Sequence, residues 1–245
     1  MSDKPIIEIF CDGNKKIGLG HIKRSSTLAA QLEKDGVHVQ MIGLTPFTQA
    51  FLPKSTVTNT KAKLSVFDSH AGIDQHIKRA KKELKITVTL DWFGETEPDV
   101  NIVVYPHKEV KAVKQSFIGF EYIIIRDEIV ELGQPVASGK WKKVLVCLGG
   151  GDLLKQGLAA AQLLHDSGLD VTLVQGPLAD HITGNDEFPV LIDPPNFPQL
   201  LASCDWAVTN GGGCFFEAMC LGKPAFVLPQ TELEWRIAGF AKAQE

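Results

Sequence analysis

A chain of 245 residues is long enough for one large domain or two modest ones, and either can bury a sizeable core. Hydrophobic residues at 44% and charged residues at 22% belong to an ordinary globular protein, and the formal net charge of −4 lacks the basic footprint of a nucleic-acid partner. No apolar run approaches the roughly 18 residues that span a bilayer, so no transmembrane segment is expected.

Strands are predicted at Ile6–Cys11, Val37–Ile42, Leu64–Phe67, Ile86–Leu90, Ile102–Val104 and Tyr122–Ile125. Between them, helical periods run over Ile22–Lys34, closed by Gly36, and over Asp74–Glu83. The basic run Lys78 to Lys82 reads as the solvated end of that second helix. The stretch Leu132 to Lys140 carries Gly, Pro and Ser without an apolar period and reads as a linker. A second series follows: strands Val144–Leu148, Val171–Val174, Val190–Ile192, Trp206–Thr209 and Ala225–Leu228, with helices Leu153–Asp166, Phe197–Cys204 and Cys214–Leu221. The alternation predicts α/β domains built of βαβ units: residues 1–132, a linker at 133–142, and residues 143–245. Two such sheets would offer the loops at their strand ends to one cleft.

The polar start, Met1 to Lys4, leads straight into a strand and reads as a chain without a signal peptide. Cys11, Cys147, Cys204, Cys214 and Cys220 form no C-x-x-C pair, so reduced thiols in the cytosol are expected, and no zinc site.

The first loop carries the most chemistry. Gly18 and Gly20 allow a close backbone approach, a helix begins after them, and His21 stands at its start, where an imidazole can take a proton from water or a hydroxyl. A dinucleotide fingerprint would need glycine where Lys23 stands, and a phosphate-binding Walker loop would need Lys-Ser or Lys-Thr where Leu19 and Gly20 stand. An ordinary glycine turn with a solvent-facing histidine explains the same residues. Asp68 and Asp91 lie at strand ends, where a carboxylate either orients His21 or takes substrate hydroxyls; His70 follows Asp68 by two residues. Arg126 suits a substrate phosphate or carboxylate, or an ion pair with a neighbouring acid.

In the second half, Asn210, Gly211, Gly212 and Gly213 follow a strand and open a helix that carries Glu217. That pattern suits a diphosphate on the backbone N–H groups and a ribose diol on the carboxylate, or else a tight turn with a charge near a helix start. Gly149 and Gly150 precede Gly151 and Asp152, the expected N-cap of the next helix, and either line the site or make a turn.

The run Ile17-Gly18-Leu19-Gly20-His21-Ile22-Lys23-Arg24 resembles the entry motif of the PseG/SpsG family, the UDP-sugar hydrolases of pseudaminic acid biosynthesis and their spore-coat polysaccharide relatives. The resemblance continues through Tyr122 to Glu128, Cys147 to Asp152, and Asn210 to Gly213 with Glu217. It implies a GT-B-like fold, similar to the MurG-like glycosyltransferases: two Rossmann-like domains whose parallel sheets face an interdomain cleft. It also implies His21 as general base activating water at the anomeric carbon, with release of UDP and free sugar, no metal and no cofactor. The glycine run would hold the diphosphate and Glu217 the uridine ribose. A glycosyltransferase using the same nucleotide-sugar site, or a catalytically silent nucleotide-binding relative, shares these motifs. The sequence departs from the hydrolase pattern at Cys11 or Asp12, at Ser69-His70, and at Gln230-Thr231-Glu232-Leu233-Glu234, where the hydrolases carry an arginine, a tyrosine and an Asn-Gln pair.

Overall fold

A computed structural model describes residues 4–53, 62–70, 72–108, 110–135, 139–182 and 185–242. The chain divides into two compact units, one of Met1–Asn14 with His21–Ile124 and one of Lys15–Gly20 with Ile125–Glu245. Of the expected linker, residues 136–138 lie outside the described residues.

The first unit holds β1 (Ile6–Cys11), α1 (Gly20–Lys34), β2 (His38–Gly43), α2 (Pro46–Ala50), β3 (Leu64–Asp68), α3 (Asp74–Lys82), β4 (Ile86–Leu90), β5 (Val100–Val103) and β6 (Ser116–Ile118). Its six strands lie in the order β2-β1-β3-β4-β5-β6, all parallel. From β1 the chain goes to β2 on one side and then returns to β3 on the other, so the order reverses between β1 and β3. The carboxyl ends of these two strands meet there, with Cys11 in register with Asp68. Such reversals open the crevice in which doubly wound sheets take ligands.

The second unit holds α4 (Asp127–Leu132), β7 (Lys143–Cys147), α5 (Gly157–Asp166), β8 (Asp170–Gln175), β9 (Val190–Ile192), α6 (Phe197–Ser203), β10 (Trp206–Thr209), α7 (Gly213–Cys220), β11 (Ala225–Val227) and α8 (Glu232–Lys242). Its parallel sheet runs β11-β10-β7-β8-β9, and the reversal falls between β7 and β10, where Cys147 pairs with Thr209. The glycine loops at Gly149 and Asn210 leave from these two strand ends.

Burial explains why β7 reads as an unbroken apolar run. Leu145 and Cys147 enter a cluster with Ile129, Phe197, Leu201 and Leu221 on one face. Val144, Val146 and Leu148 enter another with Ala161, Leu173 and Phe188 on the opposite face. A strand covered on both sides carries apolar residues at both parities. Each fully buried Leu, Ile or Phe contributes about 1.5–3 kcal/mol.

Several expectations need correction. Tyr122–Ile125 is not a strand: Phe120–Tyr122 is a single 3-10 turn, and Ile125 packs into the second core instead of joining a ladder. The sixth strand is Ser116–Ile118, whose exposed Phe117 and Ile118 give no alternating signal. The helix expected from Leu153 starts at Gly157. Lys155 sits at φ 54, outside helical geometry, and the Asp152 carboxylate accepts from Gln156 N (2.9 Å) and Gly157 N (2.6 Å), capping from further upstream than an N-cap. Helices α2, α4 and α8 were not anticipated. The first begins on Thr45, whose Oγ1 accepts from Thr48 N (3.2 Å), with Pro46 next. The last opens with a capping box: Thr231 Oγ1 accepts from Glu234 N (3.2 Å), and Glu234 Oε2 accepts from Thr231 N (3.2 Å).

Candidate active site

In the first unit the chain leaves β1 through Asp12, whose Oδ1 accepts from Gly13 N (2.8 Å) and from Thr48 Oγ1 (2.9 Å). Buried Thr48 also receives Gly13 N at 3.0 Å, so α2 fixes the exit from the strand. Gly18 is left-handed at φ +74, which its lack of a side chain permits. No atom lies within 4 Å of where a Cβ on Gly18 or Gly20 would stand.

Helix α1 then buries His21, Arg24 and Ser25, the i, i+3 and i+4 positions of one face. All three converge on Asp68 at the end of β3. His21 Nδ1 lies 2.6 Å from Asp68 Oδ1, Arg24 reaches both Asp68 oxygens at 2.6–3.0 Å, and Ser25 Oγ donates to Oδ2 at 2.7 Å. Arg24 Nη1 donates to Asp91 Oδ2 at 2.5 Å, and its guanidinium stands 4.7 Å from the ring centre of Tyr105. The other Asp91 oxygen accepts from Val104 N and Tyr105 N at 2.9 and 3.1 Å. Asp91 therefore orients Arg24, not His21, and both its oxygens are engaged within the protein.

Asp68 is fully buried and His21 is 6% exposed, so the imidazole is packed into the unit and not set at an open mouth. Burial works against the Asp68 charge, but Arg24 and His21 outweigh it and hold the carboxyl well below the usual carboxylate range. An ionised carboxylate only accepts, so Nδ1 carries the imidazole proton toward Asp68, and Nε2 is left as the basic nitrogen. The buried set counts one guanidinium against two carboxylates.

The His70 ring meets His21 edge-on at 4.4 Å between centroids, and Phe93 edge-on at 5.0 Å; Phe93 stacks on His107 at 5.8 Å. Burial, with the charges of His21 and Arg24 beside it, pushes His70 down to about 3. The unfolded chain takes up this proton near pH 6.5 and the folded one does not, so U binds more protons between those values. Stability from this group is complete above about pH 6.5 and falls by about 1.4 kcal/mol per pH unit below it. Urea unfolding at about pH 7 and about pH 5.5 is expected to show a drop for the wild type that is about 1.4 kcal/mol smaller in His70→Gln.

In the second unit, Gly149 at φ +79 lies beside the Asn210 amide, whose Nδ2 is 2.8 Å from where a Cβ would stand. Gly150 faces Leu19, 3.3 Å from its backbone nitrogen by the same measure. Of the three glycines after Asn210, Gly211 is required by packing: a Cβ there would be 2.6 Å from Glu234 O at the start of α8. Gly212 and Gly213 lead into α7 as its N-cap and first residue. Glu234, missed in the sequence, accepts from Asn210 Nδ2 (2.7 Å) and Gln230 N (2.6 Å). Burial raises its carboxyl above the ordinary value against those hydrogen bonds. Its capping box stands where the hydrolases carry their Asn-Gln pair.

Arg126, expected to meet either a substrate anion or an acid of the protein, pairs with Glu217, expected as a ribose contact: Nε to Oε1 at 2.8 Å and Nη2 to Oε2 at 2.9 Å. Arg24 was also missed as a functional group; its spacing of three from His21 on one helix face was the available signal. Among the described residues, no group of three or more His, Cys, Asp or Glu side chains could hold a metal ion, and no helix is long and apolar enough to cross a membrane.

Two all-parallel α/β sheets in succession, each with its glycine loops at the strand-order reversal, are two Rossmann-like domains of the GT-B class. Solved structures with this fold include MurG of Acinetobacter baumannii (TM-score 0.64, 12% identity, 98% of this chain and 84% of that one). Another is Anabaena HepE in complex with UDP-glucose (TM-score 0.54, 12% identity, 98% and 90%). By sequence the chain is similar to the spore coat polysaccharide biosynthesis protein SpsG of Bacillus subtilis, 25% identical over 272 residues, covering 92% of this chain and 78% of SpsG. It is 24% identical over 278 residues to an uncharacterized protein of Methanocaldococcus jannaschii, covering 93% of this chain but 56% of that protein, so the chain spans about half that relative's length. No protein-family model matches. The SpsG and MurG-like resemblance thus fits nearly the whole chain.

Proposed function

We propose that this protein hydrolyses a nucleotide sugar, with His21 as the general base. The observation that carries the reading is the 2.6 Å contact of His21 Nδ1 with buried Asp68 at the strand-order reversal of the first sheet. Asp68 fixes the ring and its tautomer, and Arg24 keeps Asp68 ionised. Water gives its proton to Nε2 as its oxygen attacks the anomeric carbon; the bond from that carbon to the phosphate oxygen breaks, and the electron pair leaves on the nucleoside diphosphate. The imidazolium so formed stands beside Asp68 and is compensated without rearrangement. The second unit is proposed to bind the nucleotide, with the amides of Gly212 and Gly213 at the diphosphate and Glu217 at the ribose. UDP is the nucleotide suggested by a fold neighbour solved in complex with UDP-glucose.

Transfer to a sugar hydroxyl is the second reading, favoured by the likeness to a glycosyltransferase structure, SnogD of Streptomyces nogalater, across 99% of the chain. It uses the same base and leaving group. Incubation with a panel of UDP-sugars, with and without sugar acceptors, separates the two. Free UDP without acceptor is the expected result; UDP only with acceptor would establish transfer, and no UDP from any sugar would remove the enzymatic reading.

A further inference from the structure

Arg126 looks from the sequence like a residue that meets a substrate anion, yet its guanidinium fork is already occupied by a protein carboxylate. It leads into α4, while Glu217 lies on α7 one turn beyond the glycines, 91 residues away in sequence. The two make a parallel pair of bonds, Nε to one oxygen and Nη2 to the other, at 2.8 and 2.9 Å. This is the strongest and most directional grip that a carboxylate finds on a side chain. The guanidinium carbon also stands 5.5 Å from the ring centre of Phe197, so the arginine is itself held in place. Both side chains keep part of their surface accessible, 28% for Arg126 and 13% for Glu217.

We infer that Arg126 is a positioning residue that fixes the plane of the Glu217 carboxylate so that one of its remaining lone pairs faces the 2′-hydroxyl of a ribose. The inference rests on the proposed nucleotide site and deepens it. A carboxylate offers about four acceptor positions. Arg126 takes the forward-facing one on each oxygen, leaving one on each that points outward to its own side, in a plane that can no longer rotate. A single ribose hydroxyl can donate to one of these outward lone pairs, whereas a phosphate, which only accepts, cannot. Discrimination between ribose and deoxyribose should therefore depend on Arg126, although Arg126 itself touches neither.

Titration calorimetry of the full chain with UDP and with 2′-deoxy-UDP tests this. The wild type is expected to prefer UDP about tenfold, the worth of one hydrogen bond to a charged group. Arg126→Gln should bring the two within about twofold, chiefly by weakening UDP, and Arg126→Lys, which grips as a point charge, should fall between. If the arginine only held the fold together, both nucleotides would weaken equally and the tenfold preference would survive; that outcome overturns the inference alone. Equal binding of both nucleotides by the wild type, or binding of neither, overturns the ribose reading of Glu217 and the inference with it. Should Arg126→Gln not fold, as judged by its thermal transition, the lysine variant decides by the same ratio.

Discussion

His21→Ala is expected to lower the rate of UDP release by about a thousandfold, within the range that a positioned general base contributes. The affinity for UDP should stay within about twofold, because the residues proposed to hold it belong to the second unit. Stability should fall only modestly, by about 1–2 kcal/mol for the lost charge-assisted bond to Asp68. Asp68 keeps Arg24 and Ser25, so no buried charge is stranded. Single-turnover release together with UDP titration checks both halves of this expectation. Turnover near the wild-type rate would remove the histidine from the mechanism.

Asp68→Asn should have the larger effect on the fold and a comparable one on the chemistry. The carboxylate takes bonds from His21, Arg24 and Ser25 with no exposure to solvent, and the amide that replaces it would point two N–H donors among donors. Arg24 would keep only Asp91 as a counter-charge. Breaking a buried ion pair from one side costs about 3–5 kcal/mol. The imidazole would also lose what sets its tautomer, a change that in a comparable triad slows catalysis by about ten thousandfold. The wild type carries a matching pH signature. With the folded Asp68 held below its unfolded value, its stabilisation is complete above about pH 4 and is lost as the pH falls further. Urea titrations across that range should show the loss in the wild type and not in the variant.

Most of the strand framework is legible in the sequence because the central strands are covered on both faces and so read as apolar runs. The chemistry at their ends is legible for a related reason. Loops leaving the carboxyl ends of parallel strands meet where strand order reverses, so Asp68 beside Cys11, and Asn210 beyond Thr209 beside Cys147, follow from topology alone. What is not legible depends on side-chain partners far apart in the chain. Arg24 finds Asp68 and Asp91 across 44 and 67 residues, and Arg126 finds Glu217 across 91. Gly211 resembles a phosphate cradle in sequence but is glycine because the start of α8 presses on it. The capping box of α8 is within reach of the sequence, since Thr231 and Glu234 show the required spacing.

Water labelled with heavy oxygen tests the central claim most directly. Hydrolysis of a UDP-sugar turned over by the protein in that water should place the label on the anomeric carbon of the released sugar and none in UDP, and His21→Ala should abolish incorporation. Label in the terminal phosphate of UDP, or undiminished labelling of the sugar by the variant, would contradict attack by a water that His21 activates.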